Sequence, residues 1–146
     1  MKNKISTCLW YDGKAQEAAN FYVSLFKDAR VLSSNPMTTI FELDGHQYVA
    51  LNGGPMYKFT EAVSLMVNCE TQDEIDRYWS KLSEGGSEGQ CGWLKDKYGL
   101  SWQVIPGVLG NFLTDPDREK SGRAAQAMFS MKKLDIAALT KAFEGK

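Results

Sequence analysis

Few side chains in this sequence could act as nucleophiles or metal ligands. The chain has three cysteines, Cys8, Cys69 and Cys91, and one histidine, His46. An odd number of cysteines without CxxC spacing disfavours a disulfide framework and a zinc knuckle. Cys8 and Cys91 could serve as nucleophiles, but no histidine is available to activate either of them, and Lys95 is no more than a possible partner of Cys91. We therefore favour buried structural thiols.

The histidine and the paired carboxylates also have simple structural interpretations. His46 follows a predicted tight turn, which favours a solvated turn residue over a metal ligand. Carboxylates stand close together at Glu42 with Asp44 and at Asp115 with Asp117. Turns and helix starts favour solvent-facing capping at these positions over acid–base catalysis.

Length and composition set the class of protein. The 146 residues, 43% hydrophobic and 24% charged, fit one globular domain or two half-domains that share a core. A net charge of −1 gives no reason to expect nucleic acid or an anionic membrane as a partner. No apolar run approaches the roughly 20 residues of a membrane span, and the start MKNKISTCLW lacks the apolar region of a signal peptide. With the cysteine usage, these features predict a cytoplasmic protein.

A faint internal repeat organises the chain. Segments Trp10–Leu25 and Met66–Lys81 align at a constant offset, which places Gln16 over Gln72 and Tyr22 over Tyr78. Each copy begins as a short apolar run and continues into a helix. Two copies, rather than many, indicate two similar modules related by pseudo-two-fold symmetry and not a solenoid.

Periodicity predicts one strand, one helix and three strands in the first copy. Asp12 is the expected N-cap of a helix that runs to about Phe26, with Ala15, Ala18, Ala19 and Tyr22 on its apolar face. Asp44–Gly45 is a two-residue hairpin signal. The expected strands are Ile5–Trp10, Arg30–Ser34, Thr38–Leu43 and His46–Leu51.

The second copy repeats this order and leads into a helical tail. Its helix is predicted from about Thr71 to Ser83, with Ile75, Tyr78, Trp79 and Leu82 facing inward, and three of its four strands are predicted at Ala62–Val67, Gln90–Lys95 and Leu100–Ile105. Helices from Asp115 to about Met131 and from Ile136 to Phe143 follow. We therefore predict an α+β fold of two βαβββ modules and a helical tail, with boundaries at 1–54, 55–106 and 107–146.

Three stretches, with the tail, carry a resemblance to a known family: CLWYDGKAQEAANFYVSLF, ALNGGPMYKFTEAVSLMVNC and CGWLKDKYGLSWQVIP. The chain resembles the vicinal oxygen chelate superfamily of glyoxalases, bleomycin-resistance proteins and dioxygenases. Within it, the chain is similar to the PhnB-like group, often labelled 3-demethylubiquinone-9 3-methyltransferase domain. The resemblance implies that the two modules form an open cupped mixed sheet and that a ligand is held in its cup. One departure is a hairpin between Arg30 and Phe41 that is shorter than in most relatives.

The resemblance also bears on metal binding. Metal-dependent members place one ligand on each of four strands, which in this chain fall near Ser6, Val49 or Ala50, Val63, and Gln103. An amide oxygen alone is a weak ligand, and apolar side chains cannot coordinate. We therefore expect no metal and no cofactor.

The same strand positions predict the lining of the cup. If Ser6 faces the cup, alternation places Cys8 and Trp10 there, with Ile5, Thr7 and Leu9 on the helix side. Gln103 brings Ser101 and Ile105 to the same face. Trp93 and Trp102 either line the cup or pack under the helices, and Trp93 is taken as part of the lining. The expected ligand-binding residues are Ser6, Cys8, Trp10, Trp93, Ser101 and Gln103.

This lining suits a small organic ligand and contains no obvious acid–base pair. Gly53–Gly54 is followed by Pro55 and then a strand, which does not match a dinucleotide-type fingerprint and argues against methyl transfer. The leading hypothesis is a metal-free binding protein that forms a homodimer. The alternatives are a lyase, isomerase or dioxygenase-type enzyme, metal-dependent or not, and an interaction module whose tail stripe (Ala124, Ala127, Met128, Met131, Leu134) covers a partner subunit.

Overall fold

The computed structural model describes residues 3–146, which divide into a first unit that ends at residue 59 and a second unit from residue 60 to residue 146. The first unit contains one helix and a four-stranded sheet. In chain order its elements are β1 (Thr7–Tyr11), α1 (Ala15–Leu25), β2 (Ala29–Ser34), β3 (Thr38–Leu43) and β4 (His46–Asn52). The sheet order is β1-β4-β3-β2, in which β1 and β4 are parallel and the other pairs antiparallel.

The second unit repeats this topology and adds three helices. Its sheet module comprises β5 (Ser64–Cys69), α2 (Gln72–Ser83), β6 (Ser87–Glu88), β7 (Trp93–Lys95) and β8 (Ser101–Pro106), in the order β5-β8-β7-β6. The tail forms α3 (Val108–Leu113), α4 (Arg118–Phe129) and α5 (Ile136–Glu144). The predicted α+β class and the βαβββ order of both modules are confirmed. None of the described helices has the length and apolar character needed to cross a membrane.

Each sheet packs one face against the helix of its own module. In the first unit the buried side chains of α1 lie on the face of the sheet that carries Leu9, Phe41 and Ala50. Each of these three strand residues is at most 3% exposed. In the second unit Ile75, Trp79 and Leu82 of α2 are buried on the side of the sheet that carries Trp102 and Val104. Because side chains alternate along a strand, every second residue points to the opposite face, which we call the distal face.

The start of α1 differs from the sequence prediction. Asp12 does not cap the helix; α1 begins at Ala15, and the backbone N–H of Ala15 donates to Oδ1 of Asn52 at 2.8 Å. A side chain from the end of β4 therefore satisfies a backbone donor that the preceding residues leave open. By contrast the side chains of Thr71 and Asp135 cap α2 and α5, and they accept hydrogen bonds from Glu74 N–H and Ala138 N–H.

The short hairpin forms its second strand in full. β2 pairs with β3 from Ala29 to Ser34, with a bulge between Val31 and Ser33, and Asn35 Oδ1 accepts the N–H groups of Met37 and Thr38 in the turn. The Asp44–Gly45 turn joins β3 to β4, and both residues have positive φ, 50° and 79°, as a type I′ turn requires.

The predicted strand Gln90–Lys95 is wrong in its first half. The strand begins only at Trp93, and a two-residue strand, β6, precedes it. Cys91 and Gly92 have φ values of 57° and 83°, and their N–H groups donate to the carbonyls of Met131 and Lys132. The segment therefore leaves the sheet because it pairs with the chain after α4.

The helical tail packs within its own unit. Leu109, Leu134 and Leu139 form a buried cluster that Ile105, Met128 and Met131 contact. Gln72 of α2 fixes this cluster, since its Nε2 donates to Leu134 O at 3.1 Å and its Oε1 accepts from Ile136 N–H at 2.8 Å. The first tail helix, α3, was not predicted separately, and the cap of α4 is Asp117 rather than Asp115.

The two faces of β8 give a test of this arrangement. Gln103→Ala is expected to lower the free energy of unfolding by less than about 1.5 kcal/mol, because the side chain is half-buried and makes one hydrogen bond, to Ser64. Val104→Ala, one residue along on the helix-facing side and fully buried, is expected to cost about 2 kcal/mol or more. Urea unfolding of both variants measures the difference. A loss above about 3 kcal/mol for Gln103→Ala would place Gln103 in a buried network instead.

Candidate functional site

The distal face of the first sheet carries a group of apolar side chains next to the polar Arg30, Glu42 and Gln47. The apolar residues come from three neighbouring strands: Val49 lies between Cys8 and Ile40, and Trp10 lies beside Leu51. Cys8 is exposed and the other four are half-buried, in contrast to the complete burial of Phe41 and Ala50 on the helix side. This face offers apolar surface that α1 does not cover.

Trp10 is held in one orientation on that face. Its indole Nε1 donates to Gly54 O at 2.9 Å, and its ring meets the Tyr57 ring edge-on, with centroids 5.0 Å apart. A Cβ on Gly53 would stand 2.3 Å from the Trp10 ring, so only glycine allows this approach. Tyr57 remains 61% exposed. Gly53 and Gly54 thus fix the position of the Trp10 ring, Gly53 by leaving room for it and Gly54 by accepting its hydrogen bond.

The start of the chain agrees only in part with the predicted lining. Ser6 precedes β1 and is exposed, so it lies outside the sheet. Ile5, expected on the helix side, is 85% exposed for the same reason. The expectation that Cys8 is a buried thiol is wrong, since Cys8 is exposed on the distal face. Cys91 is half-buried, beside the backbone bond to Met131.

The distal face of the second sheet also combines apolar and polar side chains. Two rows of side chains cross it. Met66, Gln103 and Trp93 are direct neighbours in one row, and Ser64, Ser101 and Lys95 in the other. Met66 is 56% exposed, and Trp93, Gln103 and Lys95 are half-buried. The face therefore combines an indole, an amide, two hydroxyls and an ammonium.

Ser101 and Gln103 differ in how their polar atoms are satisfied. Gln103 Nε2 donates to Ser64 Oγ at 3.0 Å. Ser101 is only 1% exposed, and its Oγ has no hydrogen-bond partner among the described residues. A buried hydroxyl without a partner is uncommon and unfavourable, which marks this position for attention.

Lys95 and Glu61 are site residues that sequence reasoning missed. Lys95 Nζ forms an ion pair with Glu61, in the turn before β5, and not with Cys91 as the sequence suggested. The hydrogen bond from Lys95 is the main cause that lowers the pKa of the Glu61 carboxyl. Glu61 lies in an irregular segment, where strand periodicity carries no information. Lys95 pairs directly with Ser101 across β7 and β8, so a correct strand register would have placed Lys95 on the distal face.

The two tryptophans on the strands of this module, Trp93 and Trp102, lie on opposite faces of the sheet. Trp93 lies on the distal face opposite Gln103, whereas Trp102 is 2% exposed and faces α2. Trp102 Nε1 donates to Oδ2 of the buried Asp96 at 2.9 Å. Cys69 also faces the helix, and burial raises the pKa of its thiol to about 11, with a smaller contribution from Glu74. A thiol with that pKa is protonated at neutral pH and is a poor nucleophile.

The carboxylate pairs have structural roles, although one differs from expectation. Asp117 caps α4 by accepting the N–H groups of Glu119 and Lys120. Glu42 is not a solvent-facing cap: its side chain is 15% exposed and accepts from Arg30 Nε at 3.2 Å across the β2–β3 pair. His46 is exposed at the start of β4, as expected of a turn residue.

The four strand positions that hold a metal in relatives do not fit one in this chain. Ser6 lies outside β1, and Val63 precedes β5 and is 61% exposed. Val49 and Ala50 have no donor atom, which leaves Gln103 as the one amide oxygen. Among the described residues no three His, Cys, Asp or Glu side chains are grouped so that they could hold an ion.

Comparisons with known proteins agree with this architecture. Residues 3–105 match the sequence profile of the family described as 3-demethylubiquinone-9 3-methyltransferase. A comparison with curated proteins finds no match. Among solved structures, the chain is 35% identical to the PhnB protein of Bacillus cereus, described with the same methyltransferase name, at a TM-score of 0.66 over 71% of this chain and 99% of that chain.

Two further structures share the fold at lower identity. A protein from Pseudomonas aeruginosa is 20% identical, with a TM-score of 0.58 over 72% of this chain and 98% of that chain. The fosfomycin resistance protein FosX from Listeria monocytogenes, solved with Mn(II) and sulfate, is 14% identical, with a TM-score of 0.56 over 77% of this chain and 96% of that chain. The profile match over most of the chain and the identity to PhnB show that the chain belongs to the PhnB-like family of 3-demethylubiquinone-9 3-methyltransferase domains, in the vicinal oxygen chelate superfamily.

Proposed function

We propose that this protein binds a small, partly aromatic organic molecule without a metal ion, on the distal faces of its sheets. The observation that carries the proposal is the placement of one tryptophan on each distal face, Trp10 and Trp93, among side chains that the helices leave uncovered. Aromatic and apolar surface with a few placed polar groups is typical of small-molecule sites.

The position of Trp10 supports a binding role. Its indole is fixed by Gly54 O and Tyr57, and the missing Cβ of Gly53 admits the ring. A side chain held in this way loses little conformational entropy when a ligand stacks on it. The neighbouring Val49, Ile40 and Leu51 extend the apolar surface that such a ligand would cover.

Methyl transfer, which the family description names, has less support from this chain. Transfer from S-adenosylmethionine usually uses a glycine-rich loop between a strand and the helix that it opens. Gly53 and Gly54 follow β4, but among the described residues 53–63 form neither helix nor strand. The next helix, α2, begins only after β5. These glycines contact Trp10 instead.

We also propose that the binding unit is a homodimer. β2 is the outer strand of the first sheet and is exposed over most of its length, with Val31 36% and Leu32 42% exposed. Uncovered strand edges invite pairing with another chain, and closed two-fold dimers are the commonest assembly that covers them.

Native mass spectrometry tests these proposals together. Protein purified without chelators or metal-affinity resin is expected to appear as a dimer without a divalent ion, either free or with a small organic adduct. Such an adduct should be lost in Trp93→Ala and retained in Trp79→Phe, a change on the helix-facing side. One divalent ion per chain would contradict metal-free binding, and a monomer mass would contradict the dimer.

A further inference from the structure

The row Ser64, Ser101 and Lys95 brings three polar side chains together on one face. Ser101 lies directly opposite Ser64 across the parallel pair β5–β8 and directly opposite Lys95 across the antiparallel pair β8–β7. Side chains at directly opposite positions of neighbouring strands stand about 5 Å apart at Cβ. An ammonium and two hydroxyl groups can therefore approach one ligand group.

Ser101 is the unusual member of this row. It is 1% exposed, and its Oγ has no partner among the described residues, while Ser64 Oγ already accepts from Gln103. A hydroxyl can donate as well as accept, and a buried one gains most from a charged acceptor. The position suits a ligand oxygen that bears negative charge.

The ion pair with Glu61 shows that the Lys95 ammonium binds a carboxylate. Its carboxylate pairs with Lys95, and both side chains are partly exposed, at 61% and 43%. Ion pairs with this exposure contribute little stability because solvent screens them and both side chains lose freedom. Glu61 also lies in the turn segment before β5, outside the sheet. A carboxylate from solution can therefore replace it at little cost.

The neighbouring side chain determines what else the ligand carries. Trp93 is two residues from Lys95 on the same strand and therefore on the same face, opposite Gln103. An aromatic ring beside the Trp93 indole would place an attached carboxylate toward Lys95 and Ser101. One ammonium matches the single charge of a carboxylate.

We propose that the distal face of the second sheet binds the carboxylate of a small aromatic acid through Lys95 and Ser101, and that Glu61 occupies Lys95 when the acid is absent. This inference rests on the proposed binding function and names the ligand class of that face. Glu61 then acts as a tethered competitor, which sets the affinity for the acid.

The test uses benzoate as the probe and benzamide, its uncharged analogue, as the control ligand. Both are titrated into ¹⁵N-labelled full-length protein, and the Trp93 indole N–H signal is followed. Glu61→Gln is expected to bind benzoate about threefold to tenfold more tightly, since the competing carboxylate is gone. Lys95→Met is expected to bind it at least about tenfold more weakly. Neither change should alter the binding of benzamide.

Two further variants separate the site from general effects. Ser101→Ala should weaken benzoate binding about threefold to tenfold without lowering the urea midpoint, because its Oγ has no partner to lose. Glu84→Gln removes an exposed charge at the end of α2 and should leave benzoate binding unchanged. Spectra that overlay away from the face show that each variant is folded.

The outcomes distinguish this inference from the proposed function. Equal binding of benzoate and benzamide would overturn the carboxylate site but leave small-molecule binding on the face intact. Lack of binding by both, in the wild type and in Glu61→Gln, would also overturn it, while the native mass measurement judges the proposed function separately. Unchanged benzoate affinity in Glu61→Gln would overturn the role of Glu61 as a competitor.

Discussion

The arrangement of both modules depends on one packing constraint: a single helix covers one face of a four-stranded sheet. α1 buries Leu9, Phe41 and Ala50, and α2 lies against the face that carries Trp102 and Val104. Alternation along each strand then commits the intervening residues to the other face. Residues on that distal face are therefore either polar and solvated or available to contact another molecule. Here it carries Trp10 in one module and Trp93 in the other.

The two modules have the same topology but have diverged in chemistry. The first distal face is apolar around a fixed Trp10 and polar around Glu42 and Gln47, and the second carries Lys95, Ser101 and Gln103 beside Trp93. Of the four positions that hold the metal in metal-dependent members of the superfamily, one carries Gln103 in this chain, whereas Val49, Ala50 and Val63 offer no donor atom and Ser6 lies outside β1. The shared fold therefore does not by itself imply metal-dependent chemistry in this chain.

Features set by neighbouring residues could be predicted from the sequence, and features set by distant residues could not. The Asp44–Gly45 turn and the Thr71 and Asp135 caps follow from local chemistry and are present. The contribution of Asn52 to the start of α1 comes from 37 residues away, so Asp12 was preferred wrongly. Cys91 leaves the sheet because the chain after α4 pairs with it.

The candidate site shows the same limit. Alternation placed Cys8, Trp10 and Gln103 on the distal faces, and the register confirms those positions. It could not show that Ser101 is buried, that Ser6 lies outside the strand, or that Glu61 reaches Lys95 from an irregular segment. Those properties depend on which side chains cover a residue and on the path of the loops, and neither produces a periodic pattern in the sequence.

The central claim, that the distal faces bind ligand, is tested most directly by ¹⁹F NMR of protein labelled with 5-fluorotryptophan. The four tryptophans divide evenly: Trp10 and Trp93 lie on distal faces, and Trp79 and Trp102 are buried against the helix side of the second sheet. Small aromatic compounds that bind are predicted to shift the Trp10 or Trp93 resonance and to leave Trp79 and Trp102 in place. Binding that shifts only Trp79 or Trp102, or a fragment collection without any binder, would contradict the account.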